Sequence, residues 1–124
     1  MATIVEKTRI PKGNDEDFIE LQQDFAAPGA TSAMRLIGQI CVTITGNSTL
    51  ATIRVERASR LVTNPAGSNA HWAPADDDPI DLTINPSAGV PAMFYEEPTM
   101  GWWRVRVLDL SGGTLTVNIS GVDA

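Results

Sequence analysis

The stretch from Gly101 to Gly121, GWWRVRVLDLSGGTLTVNISG, constrains the fold more than any other part of this sequence. Trp103, Val105 and Val107 fall on one side of an alternating run, with Trp102, Arg104 and Arg106 on the other. Beyond Ser111, Gly112 and Gly113, a second run sets Leu115, Val117 and Ile119 opposite Thr114, Thr116, Asn118 and Ser120. A period of two with one apolar face is the pattern of a half-buried antiparallel strand. Two such runs around a glycine pair predict a β-hairpin, because glycine reaches the positive φ that a short connection requires. The apolar set is then core. On a chain of net charge −6, the opposite set of Trp102, Arg104 and Arg106 is a contact stripe.

The same period recurs along the chain. Thr3 to Ile10 alternates before Pro11 and Gly13, as an extended arm or a first edge strand. Phe18 to Phe25 fits a strand with Ile19, Leu21 and Phe25 on one side, or a short helix capped by Asn14; the strand agrees better with its surroundings. Met34 to Thr45 places Leu36, Ile40, Val42 and Ile44 together around Gly38, which predicts a bulge or a close backbone approach. Gly46-Asn47-Ser48 leads into Thr49 to Ala58, where Ala51, Ile53 and Val55 alternate with Thr52, Arg54 and Glu56, and this predicts a second hairpin. From Ser59 to Pro79 the period is lost, a connection long enough to hold a binding surface or an unseen short strand. Ile80 to Ile84 and Ala92 to Glu96 are brief strands, the latter at an edge. Seven or eight short strands with frequent proline and glycine breaks predict an all-β fold, an antiparallel β-sandwich of jelly-roll type. Residues 1–13 are an arm or edge strand, and residues 14–124 one sandwich domain.

Several function classes fit poorly. Fifteen acidic residues against nine basic ones leave no basic footprint for nucleic acid and would repel an anionic membrane. No run nears the roughly 20 apolar residues of a membrane span, and the N-terminus lacks the form of a signal peptide, so synthesis in the cytosol is expected. Cys41, the single cysteine, sits between Ile40 and Val42 and reads as a strand residue rather than a nucleophile partnered by the single histidine, His71. One histidine is too few for the usual zinc sites, and no cofactor is expected. Asp76-Asp77-Asp78 lacks the alternation and distal glutamate of a calcium loop and reads as a solvated turn. Adjacent Glu96 and Glu97 do not establish the opposed carboxylates of a glycosidase. The expectation is a protein without catalytic residues.

The order of an apolar strand and TG turn (Ile40–Gly46), a strand ending VERAS (Thr52–Ser59), Trp72, the lead Glu97–Gly101, W-R-V-R-V at Trp103–Val107 and T-L-T-V-N-I-S at Gly113–Ser120 resembles small structural proteins of tailed bacteriophages. The resemblance covers all but the N-terminal third and brings no catalytic residues. It implies a virion component, with a capsid decoration (cement) protein bound to the major capsid protein as the leading expectation. The alternative is a receptor- or carbohydrate-binding module of a tail fibre or spike. A homo-oligomer is expected, a trimer first, since symmetric lattice sites favour symmetric ligands. The candidate interface comprises Ile4 and Val5 of the N-terminal segment with Trp72, Tyr95, Trp102, Arg104 and Arg106.

Overall fold

The computed structural model describes residues 3–12, 16–67 and 70–123, with the side chains of residues 3–12, 16 and 17 outside the description. Nine strands form one antiparallel sheet: β1 (Thr3–Lys12), β2 (Glu16–Phe25), β3 (Gly29–Ala30), β4 (Met34–Gly46), β5 (Leu50–Ser59), β6 (Ala73–Pro74), β7 (Leu82–Ile84), β8 (Met93–Ser111) and β9 (Leu115–Asp123). A short 3-10 turn spans Pro86–Ala88. The sheet runs β1-β2-β9-β4-β8-β5-β6, with β3 added on β8 and β7 on β5. It folds over along β8. The inward faces of β2, β9 and β4 thereby meet those of β5 and the C-terminal half of β8 in one core. The all-β sandwich expected from the alternation is the fold observed.

The faces fall as the period of two dictates. Trp103, Val105, Val107, Leu115, Val117 and Ile119 are all buried, as are Leu36, Ile40, Val42 and Ile44 of β4 and Ala51, Ile53 and Val55 of β5. Residues 18–25 are strand, with Ile19, Leu21 and Phe25 inward. Gln23 shares that inward face, which its polarity had hidden. Its amide donates to the Ala30 carbonyl at 3.4 Å and accepts the Ser32 N–H at 3.2 Å, so the buried amide holds the lead into β4 in place. The register of β4 slips on both of its edges around Gly38, the bulge that the glycine predicted.

Both predicted hairpins are corrected. β8 and β9 do not pair, and neither do β4 and β5; β4 lies beside β9, and β5 beside β8. The two glycine-containing turns are therefore arches between layers. Each carries the chain from one face of the core to the other. The physical reason is that both runs in each pair offer an apolar side, and these sides face each other across the core instead of lying in one sheet. The arches run side by side and are stitched together. The Asn47 and Ser48 N–H groups donate to the Thr114 carbonyl at 3.1 and 3.0 Å, and the Thr114 N–H donates to Asn47 Oδ1 at 2.8 Å. Buried Ser48 donates to the carbonyls of Ser111 and Leu50 at 2.7 and 3.0 Å. Gly46 is needed here: its φ is 132°, and a Cβ would stand 2.5 Å from the Thr114 carbonyl oxygen.

The strands are fewer breaks and more length than the sequence suggested. The brief strand at 92–96 and the run from Gly101 belong to one 19-residue strand, β8, with Pro98–Met100 as a bulge rather than a break. The long connection contains β6, paired with β5 at Arg57↔Ala73. Of the two readings of the N-terminal segment, β1 is the edge strand: it pairs with β2 from Thr3↔Asp24 to Lys12↔Glu16 and is interrupted at Val5. The side chains of Ile4 and Val5, both named as interface candidates, lie outside the described residues.

Gly46→Ala is expected to lower stability by about 2 kcal/mol or more, through positive-φ strain and backbone collision. Thr45→Ala, at the exposed neighbouring position, should stay within about 0.5 kcal/mol. Urea denaturation measures both, and equal midpoints for the two variants would contradict the arch geometry.

Candidate functional site

The outer face of β5 and β8 gathers most of the chemistry-bearing residues. In register, Arg54 lies opposite Arg106, Glu56 opposite Arg104, and Ala58 opposite Trp102. All point away from the core because their neighbours Val55, Trp103 and Val105 point into it. The charges there are mostly used among themselves. Arg54 donates to Asp81 through both Nε and a terminal nitrogen, at 2.7 and 3.3 Å. Hydrogen bonding to Arg54 holds the Asp81 carboxyl below its ordinary range. Arg104 donates to Glu56 at 2.8 Å, and Glu56, though outward-facing, is only 3% exposed beneath the two arginines.

The aromatic candidates are tied down in the same manner. Trp72 donates its indole N–H to the Pro65 carbonyl at 3.1 Å, and the Arg104 guanidinium stacks 4.3 Å above its ring. Trp102 donates to the Val62 carbonyl at 2.9 Å, with Arg35 5.7 Å from its ring centre. These two bonds pin the irregular segment after β5 onto the sheet, and the unpatterned connection is ordered by the tryptophans' polar edges. Tyr95 is half-buried against Trp103, ring centres 5.4 Å apart, and donates its hydroxyl to Asp76 at 2.9 Å. Burial first, and that bond second, push the phenol well above its ordinary range. Asp76, one of the three adjacent aspartates, is thus an acceptor for Tyr95. Among the described residues no group of three or more histidine, cysteine, aspartate or glutamate side chains converges as a metal site would.

A cleft of about 250 Å³ opens beside this face, between Thr31–Ala33 and Pro65–Ala66, with Arg104 along it. The Thr31 hydroxyl oxygen accepts the Val105 N–H at 3.0 Å. The opposite outer face, on β2 and β9, is satisfied too. Thr116 donates to Asp24 at 2.6 Å, and Asn118 donates to Glu20.

One constellation escaped the sequence. Glu97 is fully buried at the bend of β8, where Arg57 of β5 donates to both of its oxygens, one bond measuring 2.8 Å, and the Trp103 indole donates at 3.2 Å. Gly101 makes the room: a Cβ there would collide with the carboxylate. Glu96 is exposed while Glu97 is buried, so the adjacent pair points to opposite faces, as alternation in a strand requires. Burial raises the Glu97 carboxyl, but Arg57, Trp103 and a backbone bond from Thr99 outweigh it and hold the group below its ordinary range. The signal that could have found it was the pair Glu97-Pro98 inside an otherwise apolar-alternating run.

No family model matches the sequence, and no curated protein does. Several solved structures are similar in shape, among them the following three. The cupin domain of Schizosaccharomyces pombe Cnp3 aligns with 96% of this chain and 68% of its own at 6% identity, TM-score 0.41. The Drosophila melanogaster CENP-C cupin domain aligns with 95% and 76% at 5% identity, TM-score 0.40. A structure described as a carbohydrate-binding module of the β-sandwich superfamily aligns with 99% and 52% at 12% identity, TM-score 0.44.

The depressed Glu97 carboxyl contributes stability that is present in full above its unfolded pKa, near 4.5, and is lost as pH falls through the lower folded value. Glu97→Gln is expected to cost about 3 kcal/mol at pH 7, because it leaves the Arg57 cation against a neutral amide. The gap to the wild type should close on acidification. Denaturant titrations at pH 7 and below pH 4 check this, and a gap independent of pH would contradict an ionised Glu97.

Proposed function

We propose that this chain is a non-enzymatic structural protein of a tailed-bacteriophage virion, acting as a decoration protein that binds the major capsid protein and reinforces the head lattice. The sequence resemblance motivates the proposal. The observation that carries it is the state of the three candidate aromatics. Trp72, Tyr95 and Trp102 each spend their polar hydrogen on the chain's own acceptors, and two of them lie beside their own arginines. A sugar platform needs open ring faces, and here Arg104 lies over Trp72 and Arg35 over Trp102. Rigid, internally satisfied faces suit repetitive docking, in which shape decides affinity and many weak contacts act together on a symmetric lattice.

Apolar side chains for such a contact stand on the surface. Leu61 and Phe94 are 76% and 73% exposed, and Phe94 is held on β8 beside Cys41 of β4. Exposed apolar groups of this size, Phe94 on a strand and Leu61 in the turn after β5, are contact points, and an oligomer, trimeric first, would multiply them. The attached protein bridges neighbouring capsid subunits and resists their separation.

Co-sedimentation of the purified protein with heads lacking it tests the proposal. Saturable binding is expected, weakened at least about tenfold by Phe94→Asp with thermal unfolding unchanged. Absence of binding together with a saturable tryptophan-fluorescence response to host polysaccharide would overturn the reading in favour of a receptor-binding module.

A further inference from the structure

Most strand edges in this molecule are closed. The edge of β5 away from β8 is covered by β6 and β7, while β2, β9 and β4 each have a neighbour on both sides. β3, β6 and β7 have outer edges of their own, but at two or three residues they are too short to template a further strand. Two longer edges are left. One is the outer edge of β1, ten residues at one margin of the layer β1-β2-β9-β4. The other is the start of β8, at the opposite margin, where Met93–Glu97 pairs with β4 on one side and with no described strand on the other. Every second residue there turns its N–H and C=O away from β4. The side chains agree with an open margin. Met93 and Tyr95 pack on the core yet are only partly buried, whereas their register partners Val42 and Ile40 have no exposure.

Charge distinguishes the two margins. β1 carries Lys7, Arg9 and Lys12 against Glu6, a net +2, which leaves −8 on the rest of a chain whose total is −6. The β8 margin is acidic. Glu96 is exposed, Asp76 accepts the Tyr95 hydroxyl, and exposed Asp77 and Asp78 follow it in the chain.

We propose that the outer edge of β1 in one copy of this chain pairs, head to tail, with the open Met93–Glu97 edge of β8 in a second copy. Pairing like edges would set Lys7, Arg9 and Lys12 against their own counterparts, or Glu96 against Glu96, and like charges across a ladder are destabilising. Joining unlike edges brings the basic margin to the acidic one. The total of −6 opposes association at long range, but physiological salt screens that repulsion beyond about 8 Å, whereas the paired margins meet in contact. Ladder hydrogen bonds supply the attraction, as in strand addition generally. Phe94 projects from the outer face of the sheet, across the direction of the new bonds, so it stays available to the head. A head-to-tail contact uses two different surfaces, and it closes into a ring when the rotation between copies allows. Closure at three copies gives the trimer of the docking reading, and the inference rests on that reading for this number alone.

The test uses the full chain without heads, so its failure and a failure of head binding are separate results. Sedimentation velocity over a dilution series counts the copies, and hydrogen exchange read by mass spectrometry reports on the edges. A concentration-dependent trimer is expected, in which amides of residues 3–12 and 93–97 exchange more slowly than in the dilute monomer. Glu96→Lys should raise the dissociation constant about tenfold, as should Lys7→Glu combined with Arg9→Glu, and all three changes in one chain should restore association. Thermal unfolding of each variant separates lost association from lost folding, and the exchange measurement on the unaltered chain does not depend on any variant. A monomer at every concentration, or an oligomer whose 93–97 amides gain no protection, would overturn the proposal. Protection of one margin without the other would overturn it in favour of like-edge pairing, and a triple variant no tighter than Glu96→Lys would remove the charge match on which the choice of partner edge depends.

Discussion

The architecture depends on a carboxylate buried at a fold line. β8 serves both layers, pairing with β4 through Met93–Trp103 and with β5 through Gly101–Ser111, and it turns from one to the other over the bulge at Pro98–Met100. Glu97 sits at that turn with no exposure. Arg57 reaches it from β5, the Trp103 indole from the C-terminal half of β8, and the missing side chain of Gly101 gives it space. Removing a charge from water costs several kcal/mol unless its partners are well placed, so this group tolerates few alternative arrangements. The contact propagates outward: Trp103 packs on Tyr95, and Tyr95 bonds Asp76 of the long connection. One anion thereby ties β5, both halves of β8 and the connection to a single geometry.

The outer face follows from that arrangement. With Trp103 turned into the core, Trp102 and Arg104 must face outward, and there they hold the irregular segment after β5 against the sheet. A face that stabilises its own loop has little left to offer a small ligand, and this is why the functional proposal centres on docking. The large apolar groups that remain outward are Leu50, Leu61, Ile80 and Phe94, with Leu61 and Phe94 the most exposed.

Strand positions and their faces were legible because alternation depends on each residue's own polarity; every apolar side named in the 101–121 stretch is buried. Pairing was not. A hairpin and an arch share the same signature of two alternating runs around glycines, and only the partner across the core, far away in sequence, distinguishes them. Gln23 and Glu97 were missed for a related reason. Each is a polar residue at an inward position, and its suitability there depends on acceptors and donors contributed by other strands. The stripe of Trp102, Arg104 and Arg106 was found as a face, but the pairing of Arg104 with Glu56 required the register with β5. The long connection concealed its order because two indole N–H bonds, rather than a hydrophobic period, hold it.

The central functional claim is that this protein belongs to the head of a virion in lattice numbers. Quantitative mass spectrometry of purified particles from a phage that encodes it measures this directly. The account predicts a copy number comparable to that of the major capsid protein. Absence from the particle, or the few copies typical of a fibre or spike, would contradict it.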